Sequence, residues 1–224
     1  MHNTIQQKYS DLILASSSPR RKSLLNYLNI KYFQVEPNII ENIPPDLNNP
    51  VDAAKSIAHS KAISITQNFK SKYVISADTL VFLNKKIFGK PKSSSEAINM
   101  LMELRGQKHS VVTAIALKSP KTQEIYIDHT VTEVTMRNYS DEEMNKFVES
   151  GSSFDKAGAY AIQDNDFNPV EIINGCYTNV LGLPICTMIE LFKRHGFIWD
   201  SRIATESKLA DDICSIAESW DMEI

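Results

Sequence analysis

Several common chemistries are missing from this 224-residue chain. Its three cysteines, Cys176, Cys186 and Cys214, are widely spaced and match no zinc-ligand pattern, and three thiols cannot all pair internally, which fits a reducing compartment. The five histidines are scattered without ligand spacing, which argues against a zinc hydrolase. No run approaches the roughly 18 apolar residues that a membrane span needs. Residues 1–11 are polar and lack the apolar core of a secretory signal. There is no Gly-x-Gly-x-x-Gly loop and no Gly-x-Ser-x-Gly elbow, and Gly106-Gln107-Lys108 lacks the spacing of a Walker A loop. The net charge of −3 argues against a general nucleic-acid coat but leaves room for a local basic pocket, so a small anionic ligand fits better than DNA or RNA.

What is present is enough apolar residue, 42%, for a core of one domain or two tightly joined lobes. The stretch around which the rest is organised runs from Leu12 to Arg21. Leu12–Ala15 reads as a buried strand, Ser16, Ser17, Ser18 and Pro19 break it, and Arg20 and Arg21 open a helix carrying Leu24, Leu25 and Leu28. A strand–loop–helix of this kind aims unpaired N–H groups, hydroxyls and guanidiniums at one point and can hold a phosphate. The residues alone leave a second reading open, in which serine and proline cap the helix and the arginines are solvated.

Further along, Tyr32–Val35 reads as a strand, and a proline-rich loop containing Glu41 leads to a helix capped by Asp52. Its apolar face is Ala53, Ala54, Ile57, Ala58, Ala62 and Ile65, with Lys61 close by, as a snorkelling stem would be. Tyr73–Ala77 reads as a strand with Asp78 and Thr79 in the loop beyond it. Leu80–Phe88 makes a hairpin that delivers Lys90, and Ser93 to Glu96 has capping-box spacing. His109–Leu117 and Gln123–Val134 read as paired strands, and Ser140 caps a helix. Lys156–Gln163 is too small and glycine-marked for a core helix. Val170–Ile173 and Tyr177–Leu181 read as a hairpin around Asn174-Gly175, before a helix from Pro184. Two acids, Glu41 and Asp78, and four bases, Arg20, Arg21, Lys61 and Lys90, then come from separate connectors. Such a set can hold Mg²⁺ and neutralise a polyphosphate, although each residue alone is compatible with a surface salt bridge.

These residues carry a family resemblance. Ala15-Ser16-Ser17-Ser18-Pro19-Arg20-Arg21, Ser76-Ala77-Asp78-Thr79, Gly89-Lys90-Pro91, Asp155 through Gln163 and Gly182-Leu183-Pro184 closely resemble the Maf family of nucleotide pyrophosphatases, in the right order over about residues 10–195. The resemblance implies an α/β fold with a mixed, strongly curved central sheet and two lobes around a deep cleft, as in the inosine-triphosphate pyrophosphatases. It implies a single catalytic domain over residues 1–198; residues 199–224 extend past the part it covers, and there the spacing of Leu209, Ile213, Ile216 and Ala217 predicts a helical C-terminal extension. The resemblance also implies hydrolysis of a nucleoside triphosphate to the monophosphate and pyrophosphate with a divalent metal, Mg²⁺ or Mn²⁺. Carried over by position, Ser16, Arg20, Lys61 and Lys90 hold phosphates, Glu41 and Asp78 serve the metal, and Asp78 is the base. Arg21, Thr79 and Gln163 match the branch that takes dTTP and UTP, with departures at Ile40 and Ala161. The implied setting is a cytoplasmic homodimer without nucleic-acid or membrane partners. A nucleotide-binding regulator of cell division or septum formation, without essential catalysis, is the alternative.

Overall fold

The computed structural model describes residues 11–39 and 49–198; Glu41 and the C-terminal extension lie outside them. Seven strands form one mixed sheet: β1 (Leu12–Ala15), β2 (Tyr32–Val35), β3 (Tyr73–Leu83), β4 (Lys86–Phe88), β5 (Lys108–Lys118), β6 (Ile125–Met136) and β7 (Val170–Asn174). The order is β2-β1-β3-β5-β6-β7, with β4 paired to β3. β1 is parallel to both β2 and β3, and every other pair is antiparallel. The helices are α1 (Pro19–Tyr27), α2 (Pro50–Thr66), α3 (Ser94–Leu104), α4 (Asp141–Glu149), the single turn α5 (Tyr177–Val180) and α6 (Ile185–Arg194). No helix among the described residues is long and apolar enough to cross a membrane.

The register of β3 creates the feature that matters most. Its first residues pair with β1, ending at Ser76 opposite Ala15. Its last residues, Val81–Leu83, pair with β4. Between them Ala77–Leu80 have a strand partner on one side only, β5. The sheet therefore has a notch at Asp78 and Thr79. These two residues are not in a loop beyond the strand, as the sequence suggests, but inside an 11-residue strand. The polar pair interrupts an apolar run without ending it, because β5 supplies an unbroken ladder behind it.

Strand alternation then sends neighbours to opposite faces. Leu80, with Val112, Ala114 and Ala116 of β5, packs on Ala53, Ala54, Ala58 and Ala62 of α2. This stripe of small residues lets the helix lie close to the sheet, and Ser76 Oγ donates to the Ala58 carbonyl at 2.6 Å. On the other face lie two larger clusters. One joins Ile75, Ala77, Ile115 and Leu117 to Leu24 and Leu25 of α1 and Met188 and Phe192 of α6. The second joins Val81 and Val111 to Leu101 of α3, Phe147 of α4 and Phe167. Ile162 touches both.

Local chemistry explains most of the ends. Ser140 and Glu143 form a complete capping box on α4. At α3 half of that box forms: Ser93 Oγ accepts from the Glu96 N–H, while the Glu96 carboxylate accepts from Lys92 instead. The cap of α2 is Asn49, not Asp52; Pro50 takes the first helical position and Asp52 sits in the first turn, where it suits the dipole. Tyr177–Leu181 is not the return strand of a hairpin. It coils into α5 because Asn179 bonds to β5 and β6 through its side chain, and β7 pairs with β6 instead.

His109 on β5 is buried against Tyr160, with Nε2 at 2.8 Å from its hydroxyl. Burial pushes the imidazole pKa down to about 4, against a smaller opposing pull from the Gln107 backbone. The unfolded chain therefore binds a proton that the native protein excludes once pH falls below about 6.5. Native stability falls from there down to about pH 4, by up to roughly 3 kcal/mol for this group. Urea unfolding at about pH 7.5 and about pH 4.5 should show a drop that His109→Gln reduces by about 2–3 kcal/mol. Equal drops in both proteins would mean that His109 is not held neutral.

Candidate active site

A cavity of about 550 Å³ opens at the notch. Its walls come from the β1–α1 loop, α2, β3, the segment after β4, residues 155–163 and the turn after α5. Among the described residues, six basic side chains line it, Arg20, Arg21, Lys61, Lys90, Lys92 and Lys156, against two carboxylates, Asp78 and Asp155. Tyr160, Ile162, Val180 and Leu181 make an apolar portion. The cavity thus brings together every predicted site residue within the described chain: Ser16, Arg20, Arg21, Lys61, Asp78, Thr79, Lys90 and Gln163.

On the α2 face the centre is an ion pair. Lys61 Nζ lies 2.7 Å from Asp78 Oδ1, and the two side chains are 6% and 7% exposed. Lys61 does not snorkel as expected from its place on the helix. The alanine stripe brings α2 close enough for the ammonium to meet the carboxylate on the strand. Removing either partner of such a buried pair strands the other charge, at a cost of about 3–5 kcal/mol. The pair therefore fixes Asp78 in position.

On the opposite face Arg21 is the organiser. Its Nε donates to the Gly182 carbonyl at 2.7 Å, Nη1 to Ser16 Oγ at 3.1 Å and Nη2 to Thr79 Oγ1 at 3.2 Å. One guanidinium thereby joins the β1–α1 loop, β3 and the turn after α5. Gly182 is required here: its φ is +103°, and a Cβ would meet Thr79 Oγ1 at 3.1 Å. Ser16 Oγ also accepts from the Ser18 N–H at 3.2 Å, and the Ser16 carbonyl accepts from Gln34 at 2.7 Å. The loop after β1 is thus braced from both of its ends.

Arg20 points elsewhere. It donates to Asp155 through Nη1 at 2.7 Å, and Nη2 reaches the Asp155 carbonyl at 3.3 Å. Asp155 also accepts from Lys156 at 2.5 Å. Burial alone would raise the Asp155 carboxyl, but the Lys156 hydrogen bond and the Arg20 charge outweigh it and hold the pKa below its usual value. Asp155 was not among the residues picked out from the sequence, although its segment was. Arg20 keeps further N–H donors beyond those spent on Asp155. Lys90 is exposed at the rim. Gln163 lines the cavity and does not cap the following turn, where Asp164 Oδ1 accepts from the Phe167 N–H.

The donor set suits a hard divalent metal that keeps its waters. No cluster of three or more His, Cys, Asp or Glu forms among the described residues. Mg²⁺ does not need one, since it keeps waters and takes one or two carboxylates together with substrate phosphates. Asp78, fixed on the cavity wall, fits that demand. Zinc, which prefers nitrogen and sulfur ligands, does not suit the residues here.

A model of the family described as Maf-like protein matches residues 11–195. A dTTP/UTP pyrophosphatase of Thermomicrobium roseum is 44% identical over 83% of this chain and 84% of its own length. A dTTP/UTP pyrophosphatase of Dehalococcoides mccartyi is 38% identical over 96% and 94%. Among solved structures, the nucleoside-triphosphatase, or dITP/XTP pyrophosphatase, of Mycobacterium abscessus aligns at 11% identity and a TM-score of 0.40, over 83% of this chain and 95% of that one. The matched span contains every described wall of the cavity, from the loop after β1 to the turn that opens α6, and the chain belongs to the Maf family.

Proposed function

We propose that this protein is a nucleoside triphosphate pyrophosphatase that hydrolyses dTTP and UTP to the monophosphate and pyrophosphate. The observation that carries the reading is the Asp78 carboxylate, held at 2.7 Å by Lys61 in a cavity where basic side chains outnumber the carboxylates. The names of the relatives, at up to 44% identity over most of both chains, support the same activity and the same substrates.

The reaction follows from the residues. The polyphosphate enters a field set by Arg20, Lys61 and Lys90, with the Ser16 hydroxyl beside them, and charge-assisted hydrogen bonds hold its oxygens. Water attacks the phosphorus at the anhydride between the α and β phosphates, and Asp78 takes the proton that the water loses. The bond to the bridging oxygen breaks, and pyrophosphate leaves with the electron pair. The fixed cations meet the charge that develops on it, without having to reorganise. Asp78, with Glu41 as the second carboxylate, would hold a divalent metal, which supplies further neutralisation of the phosphate oxygens. Arg21 acts mainly by holding Thr79 and the Ser16 loop in place. Gln163 reads the base, since its amide offers one acceptor and two donor hydrogens to a pyrimidine edge. A cytoplasmic homodimer completes the reading, on the strength of the family resemblance. A regulator that only binds nucleotide would have no use for a carboxylate fixed in this way, and no observation favours it.

Asp78→Asn keeps an acceptor for Lys61 but removes the base, so kcat should fall at least ~10²-fold while the circular dichroism spectrum shows a folded protein, with a urea midpoint lowered by the loss of the counter-charge. Near-normal turnover would remove Asp78 from the mechanism. Excess chelator should abolish pyrophosphate release from dTTP, and added Mg²⁺ or Mn²⁺ should restore it; full activity in chelator would exclude the metal. Gln163→Glu replaces donors by acceptors that oppose the uracil and thymine carbonyls. With roughly 1–3 kcal/mol for a buried unpaired acceptor, kcat/KM for UTP and dTTP should fall about 5- to 150-fold. GTP should fall less. An equal loss on all three nucleotides would make Gln163 structural.

A further inference from the structure

Thr113 on β5 and Asn179 on α5 stand behind Thr79, and both are fully buried. Neither stood out in the sequence. Thr113 Oγ1 donates to the Asn179 backbone carbonyl at 2.8 Å. That carbonyl also accepts the Gly182 N–H at 3.0 Å. A hydroxyl has a single hydrogen, and Thr113 has given its own to a carbonyl, which cannot donate. The 2.9 Å contact between the Thr79 and Thr113 hydroxyls must therefore run from Thr79 to Thr113. Arg21 Nη2 donates into Thr79 Oγ1 at 3.2 Å, and a guanidinium only donates. The chain Arg21, Thr79, Thr113, Asn179 carbonyl has one direction throughout.

The far end cannot reverse. The Asn179 side-chain oxygen accepts the Thr113 N–H at 3.0 Å, while its nitrogen donates to the Val111 carbonyl at 3.0 Å and to Thr132 Oγ1 at 2.9 Å. Turning the amide over would set oxygen against oxygen and N–H against N–H. Thr79 is left with no hydrogen to offer and one lone pair that no described residue uses. From the sequence its hydroxyl could donate or accept; in this network it can only accept.

We propose that Thr113 and Asn179 are positioning residues that lock Thr79 as an acceptor and thereby make the cavity select bases with a ring N–H, uracil and thymine, over cytosine. This rests on the pyrimidine triphosphate reading of the same cavity. Uracil and thymine present N3–H between two carbonyls. Cytosine presents a bare N3, and two acceptors then face each other with no hydrogen between them. A buried acceptor without a donor is disfavoured by about one to two powers of ten in equilibrium.

The test is kcat/KM for UTP and CTP, read as pyrophosphate release, in the wild type, Thr113→Val and Thr113→Ser. Valine is close in shape and leaves the Asn179 carbonyl bonded to the Gly182 N–H, but it frees the Thr79 hydroxyl to donate into the cavity. The UTP-to-CTP ratio should drop about tenfold in Thr113→Val and return to the wild-type value in Thr113→Ser. A purely structural role lowers both nucleotides together; an unchanged ratio in Thr113→Val, or an equal drop in Thr113→Ser, would overturn the proposal. A wild-type measurement guards against a variant that fails to fold: 3-methyl-UTP, which has no N3–H, should be turned over at least ~10-fold less efficiently than UTP. Equal turnover of the two overturns the proposal as well. Wild-type protein that releases no pyrophosphate from UTP or dTTP refutes the underlying reading, whereas normal UTP turnover with an unchanged ratio refutes the relay alone.

Discussion

The ion pair between Lys61 and Asp78 is the constraint on which the site depends. Two charges that are both more than nine-tenths buried hold each other at 2.7 Å across the gap between a helix and a strand. Neither is tolerable there alone. Their proximity requires α2 to lie close to the sheet, and that requires the alanines at 53, 54, 58 and 62. A larger residue at Ala58 would push the helix outward and lengthen the ion pair before it exposed any apolar surface. The packing of the core and the placement of the Asp78 carboxylate are thus one problem with one solution.

The notch in the sheet gives that pair its access. β1 stops at Ala15, opposite Ser76, and β4 ends at Phe88, opposite Val81, so the stretch of β3 around Asp78 has an open edge in the middle of an otherwise continuous sheet. Because alternate residues face opposite ways, Asp78 turns toward α2 and Thr79 toward α1, α5 and α6. The cavity meets both at the same edge. In the proposed function, chemistry on the triphosphate and discrimination among bases therefore fall to opposite faces of one strand, one residue apart. A small change at Thr79 or Gly182 can alter the hydrogen bonds of Arg21 without moving the Lys61 ammonium.

Much of this was legible in the sequence. Leu12–Ala15 and Tyr32–Val35 fall where apolar runs and their breakers put them, and Ser140 caps its helix as its spacing with Glu143 requires. The candidate residues that the structure describes, from Ser16 to Gln163, converge on one cavity. What was not legible depends on partners distant in sequence. Asp78 and Thr79 look like loop residues until β5 is laid beside them. Lys61 looks like a snorkelling lysine until Asp78 is opposite it. Tyr177–Leu181 has the composition of a strand but coils, because Asn179 satisfies backbone groups of β5 that no local pattern reveals. Asp155 carries no sign, in its own segment, that Arg20 will reach it from 135 residues away.

The central claim is that Lys61 and Asp78 work as a unit and not as two independent contributors. A double-mutant cycle on dTTP hydrolysis tests it most directly, with Lys61→Met, Asp78→Asn and the combined variant, each checked for folding. Groups that act together lose most of their effect with the first substitution. The account predicts that the double variant has a kcat within about threefold of the slower single variant. Losses that multiply, so that the double variant is slower by the product of the two, would contradict it.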